Sequence, residues 1–219
     1  MTARELISHQ IEPIITSMTG HEALERMYAY QVRHLPIVNN TQLLGVISEE
    51  DILNCNLEDP VGTYSLSIHK PYAKENDHVF EVLHLVSNYN LSVIPVVDNA
   101  NDYLGCISQA DLIHYFAKSF SFAEPGSILV IEMNERDYSL SEIARILEME
   151  QARILSSFMT NDQEDHKIYL TIKVNKQDVR SIVMALERYG YAVLTSYTEE
   201  DFEDTLKERY DAFMAYLNI

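Results

Sequence analysis

The stretch HLPIVNNTQLLGVISEEDIL at residues 34–53 returns, with few changes of character, as VIPVVDNANDYLGCISQADLI at residues 93–113. Gly45 and Gly105, Ser48 and Ser108, and Asp51 and Asp111 each stand 60 residues apart; Pro36 and Pro95 stand 59 apart, and Pro13 and Pro71 58 apart. Five matched positions in one order mark an internal duplication. Pro60 with Gly62, and Pro125 with Gly126, read as linker punctuation. The copies are therefore set at residues 1–60 and 61–122.

Each copy has the same rhythm. Thr19-Gly-His-Glu22 is a capping box opening a helix whose apolar face uses Ala23, Leu24, Met27 and Tyr28. In the second copy Asn76 or Asp77 is expected to cap a helix carrying Val79, Val82, Leu83 and Val86. A short apolar strand containing the proline follows, then a polar turn, a second strand (residues 43–47; 103–107) and a helix opening at Ser48 or Ser108. Ser-x-x-Asp at a helix start lets the hydroxyl accept an orphan backbone N–H and sets the acid near the positive end of the dipole. The same parts also describe a nucleotide pocket: free N–H groups and a hydroxyl for an anion, a carboxylate for both hydroxyls of a ribose, and a glycine that admits close approach of the backbone. Helix capping and ligand binding are thus two readings of one motif, present twice.

Charge narrows the partners. Sixteen Lys and Arg against 34 Asp and Glu leave −18, with 6 against 16 in residues 1–126 and 10 against 18 in residues 127–219. That field repels a polyphosphate backbone or an anionic lipid surface, so neither nucleic acid nor membrane is an expected partner. No apolar run approaches the roughly 18 residues of a bilayer span. The first residues lack a signal-peptide pattern, and a cytoplasmic protein is expected. Cys55 and Cys106 form no CxxC and read as reduced core thiols.

The doubled β-α-β-β-α unit with its Pro-containing strand and its Gly-x-x-Ser-x-x-Asp turn resembles a CBS-domain pair (a Bateman module) over residues 1–118 or so. The resemblance implies that adenosine-containing ligands, among them AMP, ADP, ATP, S-adenosylmethionine and NAD, bind in clefts between the copies. It places Asp51 and Asp111 on ribose hydroxyls, Ser48 and Ser108 on phosphate or ribose, and Gly45 and Gly105 where backbone meets ligand. Arg33 and His34, just before the proline, resemble phosphate-gripping positions. The second copy has Ser92-Val93 there, so one copy is phosphate-competent and the other depleted, with Lys70 and Lys74 as the nearest compensation. Against the acidic background, an AMP-like or S-adenosylmethionine-like ligand is expected over free ATP. No obligatory cofactor is implied.

After Glu124-Pro-Gly126 the pattern changes. A strand (residues 127–133), a helix from the Ser139-x-x-Glu142 box with Ile143, Ile146 and Leu147 on one face, a hairpin (152–159 and 167–174) closed by TNDQEDH, a helix (177–189) ended by Gly190, and a last strand (191–197) follow. The order βαββαβ is ferredoxin-like and resembles an ACT domain over residues 127–198. ACT domains that bind amino acids usually carry a Pro-Gly or similar turn before the first helix; Asn134-Glu-Arg-Asp-Tyr138 stands here, which reads as a ligand-free dimerisation unit. Phe202, Leu206, Tyr210, Phe213 and Leu217 then recur at helical spacing, an amphipathic helix over residues 199–219. The fold class is α+β or α/β throughout. A CBS pair followed by an ACT-like domain is similar to small bacterial acetoin-utilisation-type regulatory proteins, a likeness of domain order that does not carry acetoin chemistry with it.

Catalytic signatures are missing. The eight histidines form no HExxH or other metal spacing, and there is no GxSxG, Walker A loop or GxGxxG. The sequence reads as a homodimeric, non-enzymatic sensor of a small adenosyl ligand that acts on a separate, unidentified regulated protein. The alternative is a dimeric scaffold or adaptor whose CBS and ACT-like domains serve only assembly.

Overall fold

The computed structural model describes residues 1–67, 71–161, 167–197, 214 and 216. Lys70, the tip of the TNDQEDH loop and the expected helix over residues 199–219 lie outside the described residues, apart from Met214 and Tyr216. Two compact units divide the chain, Met1–Tyr115 and Phe116–Ile219.

In the first unit the leading copy forms α1 (Gly20–Tyr30), β1 (His34–Asn39), β2 (Gln42–Ser48) and α2 (Glu49–Leu53). The second copy forms β3 (Ala73–Lys74), α3 (Val79–Asn88), β4 (Val93–Val97) and β5 (Tyr103–Ser108), and opens α4 (Gln109–Ser119), which runs on past Tyr115. The Thr19 hydroxyl accepts the Glu22 N–H while the Glu22 carboxylate accepts the Thr19 N–H at 2.8 Å, closing the expected box. Cap and chain end differ from expectation at α3. His78 is its N-cap, its Nδ1 accepting the Phe80 N–H at 3.3 Å, because Asp77 is already committed to the N–H of Lys74. Tyr28 is 62% exposed and Leu83 40%, since each sits well off the centre of its helix's buried stripe.

The strand that should open each copy is nearly absent. In the first copy it is the single parallel bridge Ile14 to Ile37; in the second it is β3, paired in parallel with β4. Pro13 and Pro71, just upstream, have no N–H to extend the ladder. β1 and β2 form one antiparallel sheet and β3-β4-β5 another. Both hairpins shift register at matching points, between Ile37 and Val38 and between Val96 and Val97.

The copies are interleaved. Ser8, from the segment leading into the first copy, donates its N–H to Cys106 O of the second at 2.8 Å. Ile7 lies where a Cβ on Gly105 would stand, and the Leu66 methyl lies 2.6 Å from where a Cβ on Gly45 would be. Each glycine thus admits an apolar side chain from the segment leading into the other copy. The apolar cluster accordingly crosses copies: Ile14, Met27, Leu35, Ile47 and Ile52 pack with Val93 and Cys106.

The second unit has β6 (Ser127–Asn134), α5 (Leu140–Met149), β7 (Ile154–Asn161), β8 (Lys167–Val174), α6 (Arg180–Arg188) and β9 (Ala192–Tyr197). Its sheet runs β7-β8-β6-β9, all antiparallel. Alternate residues of β6 (Leu129, Ile131, Met133) and β8 (Ile168, Leu170, Ile172, Val174) are buried against Ile143, Ile146 and Leu147 of α5 and Ile182, Ala185 and Leu186 of α6. Helix α6 starts three residues later than its pattern suggests. There Asp178 pairs with the Arg180 guanidinium and accepts the Arg180 N–H at 3.1 Å. Gly190 takes φ +88°, the left-handed close expected of it. Among the described residues no helix is long and apolar enough to cross a membrane.

Gly105 adopts φ +152° with Ile7 against it. Gly105→Ala should lower the unfolding free energy by more than about 1 kcal/mol, and adding Ile7→Ala should cost less in that background than in wild type. Urea denaturation of the four proteins checks this; strictly additive losses would show that the two residues do not compete for one space.

Candidate functional site

Two clefts lie between the copies, each combining the motif of one copy with the far helix end of the other. The first, of about 260 Å³, is lined by Arg33, His34, Ser48, Glu49, Glu50 and Ser67 together with Tyr89 and Asn90 at the end of α3. The second, of about 620 Å³, brings Ser92, Ser108, Gln109 and Asp111 together with Tyr30, Gln31 and Val32 at the end of α1, and with Ser8, Gln10 and Ile11. Gln31 and Asn90 end their helices in the left-handed conformation, φ 56° and 48°, which turns each chain back toward its following strand.

The motif residues form reciprocal caps. Ser48 Oγ accepts the Asp51 N–H at 3.0 Å, and Asp51 Oδ2 accepts the Ser48 N–H at 3.0 Å. In the second copy Ser108 Oγ accepts the Asp111 N–H at 3.1 Å, and Asp111 Oδ2 receives both the N–H and the hydroxyl of Ser108, at 2.9 and 2.6 Å. The first amide of each helix is also spent, Glu49 N–H on Arg33 O and Gln109 N–H on Ser92 O. Capping of this kind contributes about 1 kcal/mol per helix.

The second carboxylate oxygens differ. Asp51 Oδ1 accepts the Ser67 N–H at 3.1 Å. Burial alone would raise the Asp51 carboxyl, but the hydrogen bonds from Ser48 and Ser67 outweigh it and hold it below its ordinary value. Asp111 Oδ1 accepts from no group among the described residues, because the N–H of Ser8, the positional counterpart of Ser67, goes to Cys106 O.

His34 and Arg33 part company. His34 is buried, its Nδ1 accepting the Ser92 N–H at 3.1 Å with Ser92 Oγ at the same distance, while Ser92 Oγ accepts the Arg33 N–H at 2.9 Å. Burial, helped by the Arg33 charge and opposed by Asp51, holds the imidazole below its usual range. His34 is therefore a neutral pin between the copies. Arg33 is exposed on the rim of the first cleft, with no carboxylate partner among the described residues. Lys74 is exposed and lines neither cleft, so it does not compensate the second copy.

Gly45 and Gly105 line neither cleft. Leu66 and Ile7 occupy the space beside them. Cys106 is buried, and burial pushes its thiol up to about 11, while Cys55 is half-buried; both are free. Among the described residues no group of three or more His, Cys, Asp or Glu side chains is placed to hold a metal ion. The cleft residues beyond the motif had a signal in the sequence: Ser8 and Ser67, Tyr30 and Tyr89, and Gln31 and Asn90 all stand 59 apart, extending the duplication upstream of its most legible part.

The duplicated unit thus presents one cleft at each copy's Ser-x-x-Asp turn. The CBS domain family matches residues 3–58 and 64–118, just over half of the chain, and the chain belongs to that family. A CBS domain-containing protein of Methanocaldococcus jannaschii is 24% identical over 119 residues, covering 53% of this chain and 95% of that protein. The crystal structure of a CBS domain pair/ACT domain protein from Thermotoga maritima, 24% identical, covers 54% of this chain and 98% of its own, with a TM-score of 0.49. CBSX2, solved in complex with AMP, is 18% identical, covers 53% of this chain and 96% of its own, and has a TM-score of 0.46.

The His34 pin carries a pH signature. With its folded pKa below the ordinary 6.5, the unfolded chain takes up a proton first as pH falls. This group leaves stability unchanged above that value and removes stability as pH drops through it toward the folded value. In His34→Gln, whose amide oxygen can still accept the Ser92 N–H, the gap between urea midpoints at about pH 7.5 and about pH 5 should shrink relative to wild type. An unchanged gap would mean that His34 titrates alike in both states.

Proposed function

We propose that this chain is a non-catalytic regulatory protein, a cytoplasmic homodimer that binds an adenosine-containing ligand, AMP-like or S-adenosylmethionine-like, between its CBS copies. The observation that carries this reading is the paired clefts, each built from the Ser-x-x-Asp turn of one copy and the helix end of the other. A ligand seated in such a cleft touches both copies at once, so its affinity depends on their relative arrangement. By the same linkage its binding shifts that arrangement. Ser48, Asp51, Ser108, Asp111, Arg33 and His34 are the motif-derived candidates for contact. A separate regulated protein reads the change.

For residues 127–198 we read a ferredoxin-like, ACT-like unit. The βαββαβ order and the strand order β7-β8-β6-β9 support it, and its role here is pairing of chains rather than amino-acid binding. We divide the chain into domains at residues 1–60, 61–122, 127–198 and 199–219. One observation favours the scaffold alternative: both Ser-x-x-Asp turns are engaged as helix caps.

A thermal-shift series with AMP, ATP and S-adenosylmethionine separates the two. A bound ligand at a hundredfold its Kd should stabilise by about 2.7 kcal/mol, visible as a rise of a few degrees in Tm. The rise should be largest for a ligand other than ATP. No rise with any adenosyl compound would leave the scaffold reading standing.

A further inference from the structure

We infer that the two clefts have diverged in task, and that only the one at Asp111 takes a nucleoside, specifically an adenosyl compound without phosphate, neutral or cationic. This rests on the adenosyl-sensor reading above and sharpens it to one site and one ligand class.

A vicinal diol needs a carboxylate that faces an open cleft. At Asp51 both oxygens are engaged, Oδ2 by the Ser48 N–H and Oδ1 by the Ser67 N–H, and the residue is only 8% exposed. Each oxygen keeps a second lone pair, but the Ser67 backbone covers the approach to Oδ1, and Asp51 does not itself line the first cleft. That cleft is small, about 260 Å³. Asp111 is the opposite case. Its Oδ2 is fixed by Ser108, its Oδ1 has no donor among the described residues, and its cleft measures about 620 Å³.

Charge then selects within the nucleosides. Among the described residues lining the Asp111 cleft there is no Lys or Arg, and Asp111 is the one carboxylate. Where the first copy has Arg33, this one has Ser92, whose hydroxyl oxygen is committed to the Arg33 N–H and His34. His114 is turned back on its own helix, its Nδ1 donating to Ala110 O at 2.8 Å. A phosphate would meet a carboxylate and no counter-charge. A sulfonium or ammonium on the ligand would meet a complementary field.

Isothermal titration calorimetry of the full chain with adenosine, S-adenosylmethionine and AMP tests this. The expected result is one site per chain, with adenosine and S-adenosylmethionine at least about tenfold tighter than AMP. Ala110→Trp, an exposed position lining the Asp111 cleft, should abolish binding. Glu50→Trp, at the matching position of the other cleft, should change affinity by less than about twofold. Asp111→Asn should weaken binding more than about tenfold with the circular dichroism spectrum intact. AMP as the tightest ligand, two sites per chain, or loss of binding in Glu50→Trp alone would overturn the inference while leaving the sensor reading in place. No heat and no thermal shift with any of the three would bring down both.

Discussion

The exchange of leading segments between the copies is the contact on which the rest of the first unit depends. Ile7 sits against Gly105 and Leu66 against Gly45, so neither copy completes its own sheet surface. The two glycines are required for steric reasons, since a Cβ at either would collide with the incoming side chain. What the exchange achieves is a shared core, in which Val93 and Cys106 of one copy are buried with Ile14, Leu35 and Ile47 of the other. Each copy alone would expose that apolar surface, so the duplication is a folding requirement as much as a repeat.

The same exchange sets the asymmetry of the clefts. Ser8 and Ser67 stand at equivalent positions, but one N–H meets a strand carbonyl and the other a carboxylate oxygen. A single backbone hydrogen bond therefore separates an aspartate covered on both oxygens from one whose Oδ1 is open. His34 reinforces the difference. It occupies the junction in one copy only, bonded to Ser92 of the other, so a pseudo-twofold arrangement carries one polar pin instead of two. A buried imidazole held neutral by its surroundings packs there at little electrostatic cost, whereas a second cation beside Arg33 would not.

Much of this was legible in the sequence because it rests on local rules. Proline, glycine and Ser-x-x-Asp spacings give the duplication, the hairpins and the caps; Gly190 gives a helix end; alternation gives β6 and β8. What was not legible depends on contacts between segments distant in the chain. The glycines look like ligand approaches until the leading segments are seen to fill the space. His34 looks like a cation until its burial against Ser92 is known. The cap of α3 moves to His78 because Asp77 is used by Lys74, a choice among neighbouring candidates that spacing does not rank. The cleft residues outside the motif were detectable in principle, since Ser8, Tyr30 and Gln31 repeat at Ser67, Tyr89 and Asn90. Their repeat is thinner and carries no proline or glycine to announce it.

Capping and binding need not compete at Asp111, and this bears on why the motif serves both. Oδ2 is held by two donors of Ser108, which fixes the carboxylate's rotamer before any ligand arrives. The ordering of that side chain is then already part of the folded state, and a ligand hydroxyl meeting Oδ1 does not bear it again. The cap is kept intact as the second oxygen is used, so binding adds a contact without breaking one. At Asp51 the same rigidity works against a ligand, because the Ser67 backbone N–H lies on Oδ1 and the buried side chain does not line the first cleft. Identical motifs thus reach opposite outcomes, and the residue that separates them, Ser67, lies outside both.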